Sequence, residues 1–221
     1  MFTGIIEGMG TISAIRPVGQ ARRLAVTADY VLEGTRVGDS IAVNGACLTA
    51  VTISGKRFEA DVSAETIVRT TFATARVGER VNLERALRFC DRLDGHLVSG
   101  HIDGIGTMKA IGKKANAIIL TIGVDAALSR YMIEKGSVAV DGISLTINRC
   151  TVDRFEVSII PHTTLATTLR LKKIGAAVNI ETDMIGKYVE RFSSGGAVAK
   201  TAARNRSENV EGEFPTNKEY L

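Results

Sequence analysis

The amino-acid sequence repeats itself, and this duplication constrains the fold more than any other feature. Three blocks of the first half recur in the same order in the second half, displaced by 96 or 97 positions: residues 4–12 and 100–108, 44–49 and 141–146, 78–84 and 175–181. Three collinear blocks at nearly one interval are very unlikely to arise by accident. The 221 residues therefore contain two copies of one domain.

Each copy is rich in patterns that are typical of short β-strands. Asn44-Gly and Asp141-Gly each follow an apolar run, and such dipeptides indicate hairpins because both central residues must tolerate positive φ. Apolar and polar residues alternate around Phe58 and Phe155, as they do in half-buried strands. About six strands per copy predict an all-β chain with closed barrels, since closure removes exposed sheet edges.

Few and short helices are expected outside the strands. The sequence predicts one helix near residues 126–135, a counterpart near residues 30–34 and a short amphipathic helix near the C-terminus. The final residues mix charged and polar types with little apolar content, which is the composition of a disordered tail. The expected domain organisation is a first barrel at 1–96, a second barrel at 97–185, a helix at 186–193 and the tail at 194–221.

Composition excludes several function classes. The 28 Lys and Arg residues against 24 Asp and Glu are scattered, without a basic cluster interleaved with aromatics, so nucleic-acid binding is not expected. Neither a membrane-spanning stretch nor a signal peptide is recognisable. The three cysteines show no Cys-x-x-Cys spacing, and His96 and His101 would face opposite sides of a strand, so no metal site is expected. We expect a cytoplasmic enzyme or binding protein.

Six segments of the chain form a diagnostic set of motifs: residues 1–7 (Met-Phe-Thr-Gly-Ile-Ile-Glu), 44–49, 95–102 (Gly-His-Leu-Val-Ser-Gly-His-Ile), 141–146, 159–163 and 178–183. Through these motifs the chain resembles the riboflavin synthase family of lumazine-binding barrels over about residues 1–192. The resemblance implies two tandem homologous six-stranded Greek-key barrels and a C-terminal helix that assembles a homotrimer. It also implies active sites shared between neighbouring subunits, an association with lumazine synthase, and no metal or coenzyme.

The reaction that the resemblance implies suits a duplicated chain. Two molecules of 6,7-dimethyl-8-ribityllumazine react by transfer of a four-carbon unit, and the products are riboflavin and 5-amino-6-(D-ribitylamino)uracil. Because donor and acceptor are the same compound, two related pockets are needed. Holding two reactants in the correct orientation contributes roughly 7–11 kcal/mol to such a reaction.

Cys47 and Ser144 occupy equivalent positions in the two copies, each within a Gly-x-[Cys/Ser]-Leu-Thr block. The chemistry needs a nucleophile or activated water to add to one ring, and a base to remove a proton from the 7-methyl group of the other. From the residues alone, a buried small cysteine and a turn-capping serine are the simpler interpretations. The resemblance assigns catalytic roles to both.

Two further candidates break the symmetry of the repeat. His101 stands where the first copy has Ile5, and imidazole is the natural proton carrier near neutral pH. A hydrogen-bonded residue at the barrel rim is the alternative. Asp183 stands where the first copy has Ala86, and it either polarises Ser144 or caps the final turn.

The remaining candidates form the predicted substrate-binding surface. Thr49 and Thr146 follow the two nucleophiles by two positions and therefore point to the same strand face. Lys135 is a ligand contact in the family, although it also suits a helix C-terminus. We read His162 as a lining residue and not as a catalyst. The full predicted set is Gly4, Ile5, Ile6, Cys47, Leu48, Thr49, Asp61, Val62, Ser63, Ala64, Glu65, Thr66, Gly100, His101, Ile102, Lys135, Ser144, Leu145, Thr146, Ser158, Ile159, Ile160, Pro161, His162 and Thr163.

Two alternatives to an enzyme remain open from the sequence. The first is an antenna protein of the same fold that binds lumazine or flavin without converting it. Retention of Cys47, His101, Ser144 and Asp183 together favours the enzyme. The second is an oligonucleotide-binding barrel, which needs surface aromatics and a basic groove, and 5% aromatic residues do not supply them.

Overall fold

Twelve antiparallel strands form two closed barrels in the computed structural model, which describes residues 1–114 and 117–193. The first barrel consists of β1 (Gly8–Val18), β2 (Ala21–Ala28), β3 (Ser40–Val43), β4 (Ala46–Ser54), β5 (Arg57–Val62) and β6 (Arg80–Arg85). The second consists of β7 (Gly104–Lys114), β8 (Ala117–Gly123), β9 (Ser137–Val140), β10 (Ile143–Cys150), β11 (Arg154–Ile159) and β12 (Ala177–Thr182). The prediction of two six-stranded barrels is confirmed. The predicted tail at 194–221 lies outside the described residues.

Both barrels have the same Greek-key connectivity. The strand order is β1-β2-β5-β4-β3-β6 in the first, and the second repeats it as β7-β8-β11-β10-β9-β12, with the last strand pairing with the first in each case. The predicted hairpins are present. Asn44 and Gly45 have φ of 45° and 82°, and Asp141 and Gly142 have 46° and 80°. Positive φ at both central residues matches the twist of the flanking strands.

Short helices connect the strands, and here the predictions were partly wrong. The predicted helix at 30–34 does not form: the chain runs there as bends and turns, with Leu32 buried in the first core and Gly34 at φ of 76°. The helix expected at 126–135 is limited to one turn, α2 (Ala126–Ser129). Lys135, at the end of that segment, has φ of 68° and so lies outside any helix.

Two short helices were not predicted, and each contains some of the predicted binding residues. In the first copy, α1 (Ala64–Arg69) begins after Ser63, whose side chain accepts a hydrogen bond from the backbone N–H of Thr66 at 3.1 Å. In the second copy, α3 (Pro161–Ala166) begins with proline, which suits a first helical turn. The predicted C-terminal helix is present as α4 at residues 184–193.

The two hairpin turns pack directly against each other between the barrels. A Cβ atom added to Gly45 would lie 2.6 Å from the backbone nitrogen of Gly142, and one added to Gly142 would lie 2.8 Å from the Cα of Gly45. Such separations are shorter than any van der Waals contact. Glycine is therefore required at both turns for the close approach of the backbones as well as for φ.

A buried polar network surrounds this contact. The side-chain amide of Asn82 donates to the carbonyl oxygen of Asp141 at 2.9 Å, and that of Asn179 donates to the carbonyl oxygen of Asn44 at 2.8 Å. All four residues are buried. Because buried polar groups are costly unless they are paired, this network fixes the relative position of the two barrels.

Replacing Gly45 by alanine is expected to lower the free energy of unfolding by at least about 2 kcal/mol more than replacing Gly55, since overpacking adds to the strain of positive φ. Gly55 is the matched control because its φ is 60° and a Cβ there would meet nothing within 4 Å. Denaturant unfolding of both variants measures the difference. Equal losses would contradict the close packing of the two turns.

Candidate functional site

The chain segments that precede the two barrels are exchanged between them. Phe2 and Val98 pair with each other through backbone hydrogen bonds of 2.7 and 3.1 Å. Ile6 then packs against the core of the second barrel, and Ile102 packs against the core of the first. Each barrel therefore receives a segment from the other copy.

The exchanged segments contact the two predicted nucleophiles. The backbone N–H of Ser144 donates to the carbonyl oxygen of Gly4 at 2.8 Å, and that of Cys47 donates to the carbonyl oxygen of Gly100 at 2.9 Å. A Cβ on Gly4 would lie 2.6 Å from the Cβ of Ser144, and one on Gly100 would lie 2.5 Å from the Cβ of Cys47. Glycine is thus needed at both positions for the segment to reach the strand.

Side chains alternate between the two faces of β4 and β10, as the sequence predicts. Cys47 and Thr49 lie on the outer face of β4, whereas Leu48 points inward and is 3% exposed. The second copy repeats this arrangement with Ser144, Thr146 and the buried Leu145. The two leucine side chains belong to the barrel cores. At these two positions only the backbone is available to a ligand on the outer face.

A pocket of about 270 Å³ lies over Cys47 and is built from both copies. Six of the predicted site residues line it together: Cys47, Glu65, Thr66, Gly100, His101 and Ile102. Ala46, Arg69 and Thr70 also line it and were not predicted. A thiol, an imidazole, a carboxylate, hydroxyls and a guanidinium group around one cavity are suited to a polar, hydrogen-bonding small molecule.

Ser144 forms a hydrogen bond with His96, which is not the histidine that the sequence analysis selected. Nδ1 of His96 lies 2.7 Å from Oγ of Ser144, in a hydrogen bond to which either atom can contribute the proton. Burial lowers the pKa of His96 below its usual value of 6.5, and the charge of Asp183 opposes this shift in part. His96 is therefore neutral at pH 7 and can accept a proton from the serine hydroxyl.

His96 was not predicted as a functional residue. Its Nε2 is buried and has no hydrogen-bond partner in the described part of the chain. A Cβ on the preceding Gly95 would lie 2.0 Å from the carbonyl oxygen of Thr3 and 3.0 Å from the Cβ of Ser144. The Gly-His pair at 95–96 was visible in the sequence as part of a family motif, but nothing local indicated that Ser144 is its partner.

A buried glutamate holds the first exchanged segment. Oε1 of Glu84 accepts hydrogen bonds from the backbone N–H and the hydroxyl of Thr3 at 2.6 and 2.7 Å, and Oε2 accepts from the N–H of Gly4 at 3.0 Å. Burial raises the pKa of Glu84, and these three hydrogen bonds oppose the rise. Glu84 was not among the predicted site residues.

Glu181 makes the same contacts in the second copy. Its Oε1 accepts from the backbone N–H and the hydroxyl of Ser99, both at 2.6 Å, and its Oε2 accepts from the N–H of Gly100 at 2.9 Å. We call each of these two sets of hydrogen bonds a glutamate clamp. The signal that could have identified them was the glutamate shared by both copies, which ends both the 78–84 and the 175–181 block of the repeat.

Several other predicted residues already have structural partners. Asp61 forms a bidentate ion pair with Arg23 at 2.7 and 2.8 Å, which lowers its pKa. Ser63 caps α1, and the hydroxyl of Ser158 lies 2.6 Å from the side-chain nitrogen of Asn148. Val62 and Ile159 belong to the barrel cores, so their side chains are not available to a ligand outside the barrels.

The rest of the predicted set lies at the surface of the two barrels. Lys135 is exposed. Ile5 is 47% exposed and lines a wider cleft of about 490 Å³. Ala64, Ile160, Pro161 and His162 are exposed, and Thr163 is half-buried.

Residues 1–114 and 117–193 contain neither a cluster of metal ligands nor a helix that could cross a membrane. No group of three or more His, Cys, Asp or Glu side chains there is arranged so that it could hold a metal ion. No helix in those ranges combines the length and the apolar character that crossing a membrane requires.

Sequence comparison finds the same domain twice. The model of the lumazine binding domain matches residues 3–86 and 99–183. The chain is 47% identical over 192 residues to the riboflavin synthase of Actinobacillus pleuropneumoniae, which covers 87% of this chain and 89% of that one. It is 44% identical over 196 residues to the riboflavin synthase of Mycobacterium tuberculosis, with 87% and 98% covered.

Structure comparison identifies LumP as a similar fold. Its complex with 6,7-dimethyl-8-(1'-D-ribityl) lumazine matches with a TM-score of 0.73 and 28% identity, covering 82% of this chain and 99% of that one. Its complex with riboflavin matches with a TM-score of 0.75 and 29% identity over the same shares.

Proposed function

The chain belongs to the riboflavin synthase family, and we propose that it converts two molecules of 6,7-dimethyl-8-ribityllumazine into riboflavin and 5-amino-6-(D-ribitylamino)uracil. One lumazine gives a four-carbon unit to the other. The observation that carries the proposal is the presence of two equivalent centres, each with a nucleophile held against a segment of the opposite copy. Two alike centres suit a reaction whose two substrates are the same compound.

The two centres differ in their proton-carrying groups, and we assign them different parts of the chemistry. At the Ser144 centre, the neutral His96 takes the hydroxyl proton as the serine, or a water held by it, adds to one lumazine ring. Asp183 stabilises the imidazolium that forms, because its charge favours the protonated ring. Asp183 thus acts through His96, which is a more specific role than polarising Ser144 directly.

At the other centre, we assign proton transfer at the 7-methyl group of the second lumazine to Cys47 and His101. Both line the 270 Å³ pocket, in which Glu65 and Thr66 offer hydrogen-bonding side chains. These polar groups suit a ribityl chain, and Thr49 lies on the same outer face as Cys47. By the symmetry of the repeat, we assign Thr146 and residues 158–163 to the corresponding surface beside Ser144, and the family resemblance adds Lys135.

The proposal extends to assembly and location. We propose that the chain forms a homotrimer in which the Cys47 centre of one subunit faces the Ser144 centre of its neighbour. Facing centres would bring the two rings together. We further propose an association with lumazine synthase, which would supply the substrate, and a cytoplasmic location. Sedimentation equilibrium tests the trimer: the expected mass is three times the 23.6 kDa of one chain.

The decisive experiment is incubation of the purified protein with 6,7-dimethyl-8-ribityllumazine while riboflavin absorbance is followed. The expected result is a linear rate that is proportional to protein concentration, with one riboflavin formed for every two lumazines consumed. Near-stoichiometric binding of the lumazine without conversion would contradict the enzymatic function and support an antenna protein of the same fold.

A further inference from the structure

We propose that Glu84 and Glu181 are positioning residues that act across the chain: each glutamate clamp controls the catalytic centre on the opposite barrel. Glu84 lies on β6 of the first barrel and supports the Ser144 centre of the second. Glu181 lies on β12 of the second barrel and supports the Cys47 centre of the first. This inference rests on the proposed function for its activity readout, whereas its binding readout does not need turnover.

The path from Glu84 to Ser144 consists of two direct contacts. The carboxylate accepts three hydrogen bonds of 2.6–3.0 Å, two from the backbone N–H groups of Thr3 and Gly4 and one from the Thr3 hydroxyl. Gly4 in turn accepts the backbone N–H of Ser144 at 2.8 Å. His96 is tied to the same segment, since its N–H donates to the carbonyl oxygen of Thr3 at 3.1 Å. Both members of the Ser–His pair therefore depend on where Glu84 holds residues 3 and 4.

The path from Glu181 to Cys47 is equivalent. The carboxylate binds Ser99 and Gly100 at 2.6–2.9 Å, and Gly100 accepts the N–H of Cys47 at 2.9 Å. The backbone N–H of His101 also donates to the hydroxyl of Ser99 at 3.2 Å. The clamp of Glu181 thus positions both Gly100 and His101, which line the Cys47 pocket.

Only a carboxylate meets the demands of either clamp. Three donors converge on two oxygens, and the glycine N–H points at the second oxygen. A glutamine keeps the shape and one acceptor oxygen, but its NH₂ group would face the glycine N–H, so that two donors meet in a buried place. The Glu→Gln substitution is therefore a conservative change with a localised expected effect on residues 3–4 or 99–100.

The test compares Glu84→Gln and Glu181→Gln by two readouts. The first is turnover, in which both variants are expected to lose about 10- to 100-fold in kcat, because small displacements of reacting groups have effects of this size. The second is protection of the Cys47 thiol from iodoacetamide by riboflavin. Peptide mass spectrometry distinguishes Cys47 from Cys90 and Cys150, which are also free thiols.

The thiol readout separates positioning from general damage. Glu181→Gln is expected to raise the riboflavin concentration for half-protection of Cys47 about tenfold, whereas Glu84→Gln leaves it within about twofold. A general loss of structure predicts the opposite result, in which Glu84→Gln weakens the protection of Cys47 more than Glu181→Gln does. The reason is that Glu84 lies in the same barrel as Cys47, and both residues pair with Ala42 of β3. Glu79→Gln is the matched control, since Glu79 accepts a backbone N–H from Arg76 in a surface turn remote from both clamps.

A second pair of variants guards against a folding defect. Thr3→Val removes the hydroxyl that donates to Glu84, and Thr3→Ser keeps it, as Ser99 does in the second clamp. Thr3→Ser should recover most of the turnover that Thr3→Val loses. Unchanged turnover in both Glu→Gln variants, or equal loss of Cys47 protection in both, would overturn the inference. If the unsubstituted protein shows no turnover, the proposed function fails, and the protection experiment still decides the inference.

Discussion

Ser144→Ala is expected to lower turnover at least about 100-fold, while the melting temperature changes little, because general acid–base and nucleophilic groups commonly contribute factors of this size. Ser144 is half-buried on the outer face of its strand, so loss of its Oγ leaves no large cavity. Initial rates of riboflavin formation measure the effect, and riboflavin titration checks that binding persists.

The matched change at the other centre is Cys47→Ser, which places there the side chain that the second copy already has. We expect a smaller loss than with Cys47→Ala, since a hydroxyl keeps hydrogen bonding at that position. Ser144→Ala and Cys47→Ala with unchanged rates would remove both residues from the mechanism.

His96 makes the same assignment testable through pH. Because burial lowers its pKa below 6.5, the neutral base persists at neutral pH, and turnover should decline only on acidification below that value. His96→Gln should reduce turnover and remove this acidic limb of the rate profile. A limb that survives unchanged in His96→Gln belongs to another group and would contradict the role of His96 as the base.

The largest expected loss of stability follows from Lys172→Ala. Nζ of Lys172 lies 2.8 Å from Oδ2 of Asp141, which is completely buried, and burial raises the pKa of that carboxyl. Removing the lysine leaves a buried charge without its partner, which typically destabilises a protein by about 3–5 kcal/mol. Urea unfolding at pH 7 measures the change.

The first copy supplies the control, because Asn44 and Ala75 stand at the positions of Asp141 and Lys172. The double variant Asp141→Asn, Lys172→Ala copies that neutral pair and should recover most of the loss. The pH dependence has a definite sign. A carboxyl whose folded-state pKa is raised binds its proton more tightly when folded, so the variant Lys172→Ala should regain stability as pH falls toward that pKa. Lys172→Ala with wild-type stability at pH 7 would contradict this account.

Much of the fold follows from local patterns. Apolar and polar residues alternate along the strands that contain Phe58 and Phe155, and Asn-Gly and Asp-Gly turns mark the hairpins. Because the sequence repeats, both copies are expected to share one topology, and they do. The helices α1 and α3 escape such reasoning because each has six residues and none of them is buried, so that no apolar periodicity develops. The available signals were the N-cap residue Ser63 before α1 and a proline, Pro161, at the first position of α3.

The candidate site is less predictable because its contacts are long-range. His96 and Ser144 are 48 positions apart, and Glu84 and Gly4 are 80 apart. Aligning the two copies pairs each residue with its counterpart, such as Cys47 with Ser144, but not with its neighbours in space. Neither the alternation of apolar and polar residues nor the alignment of the two copies indicates that residues 2–6 and 98–102 are exchanged between the barrels. Only the three-dimensional structure shows that His101 belongs with Cys47 and His96 with Ser144.

The exchange of segments also governs how the two halves of the gene can evolve. A mutation in codons 98–102 alters the centre whose nucleophile is encoded in the first half, and one in codons 2–6 alters the centre encoded in the second. Each half therefore evolves under constraints from both centres, and neither half can be replaced alone without altering the centre whose nucleophile lies in the other.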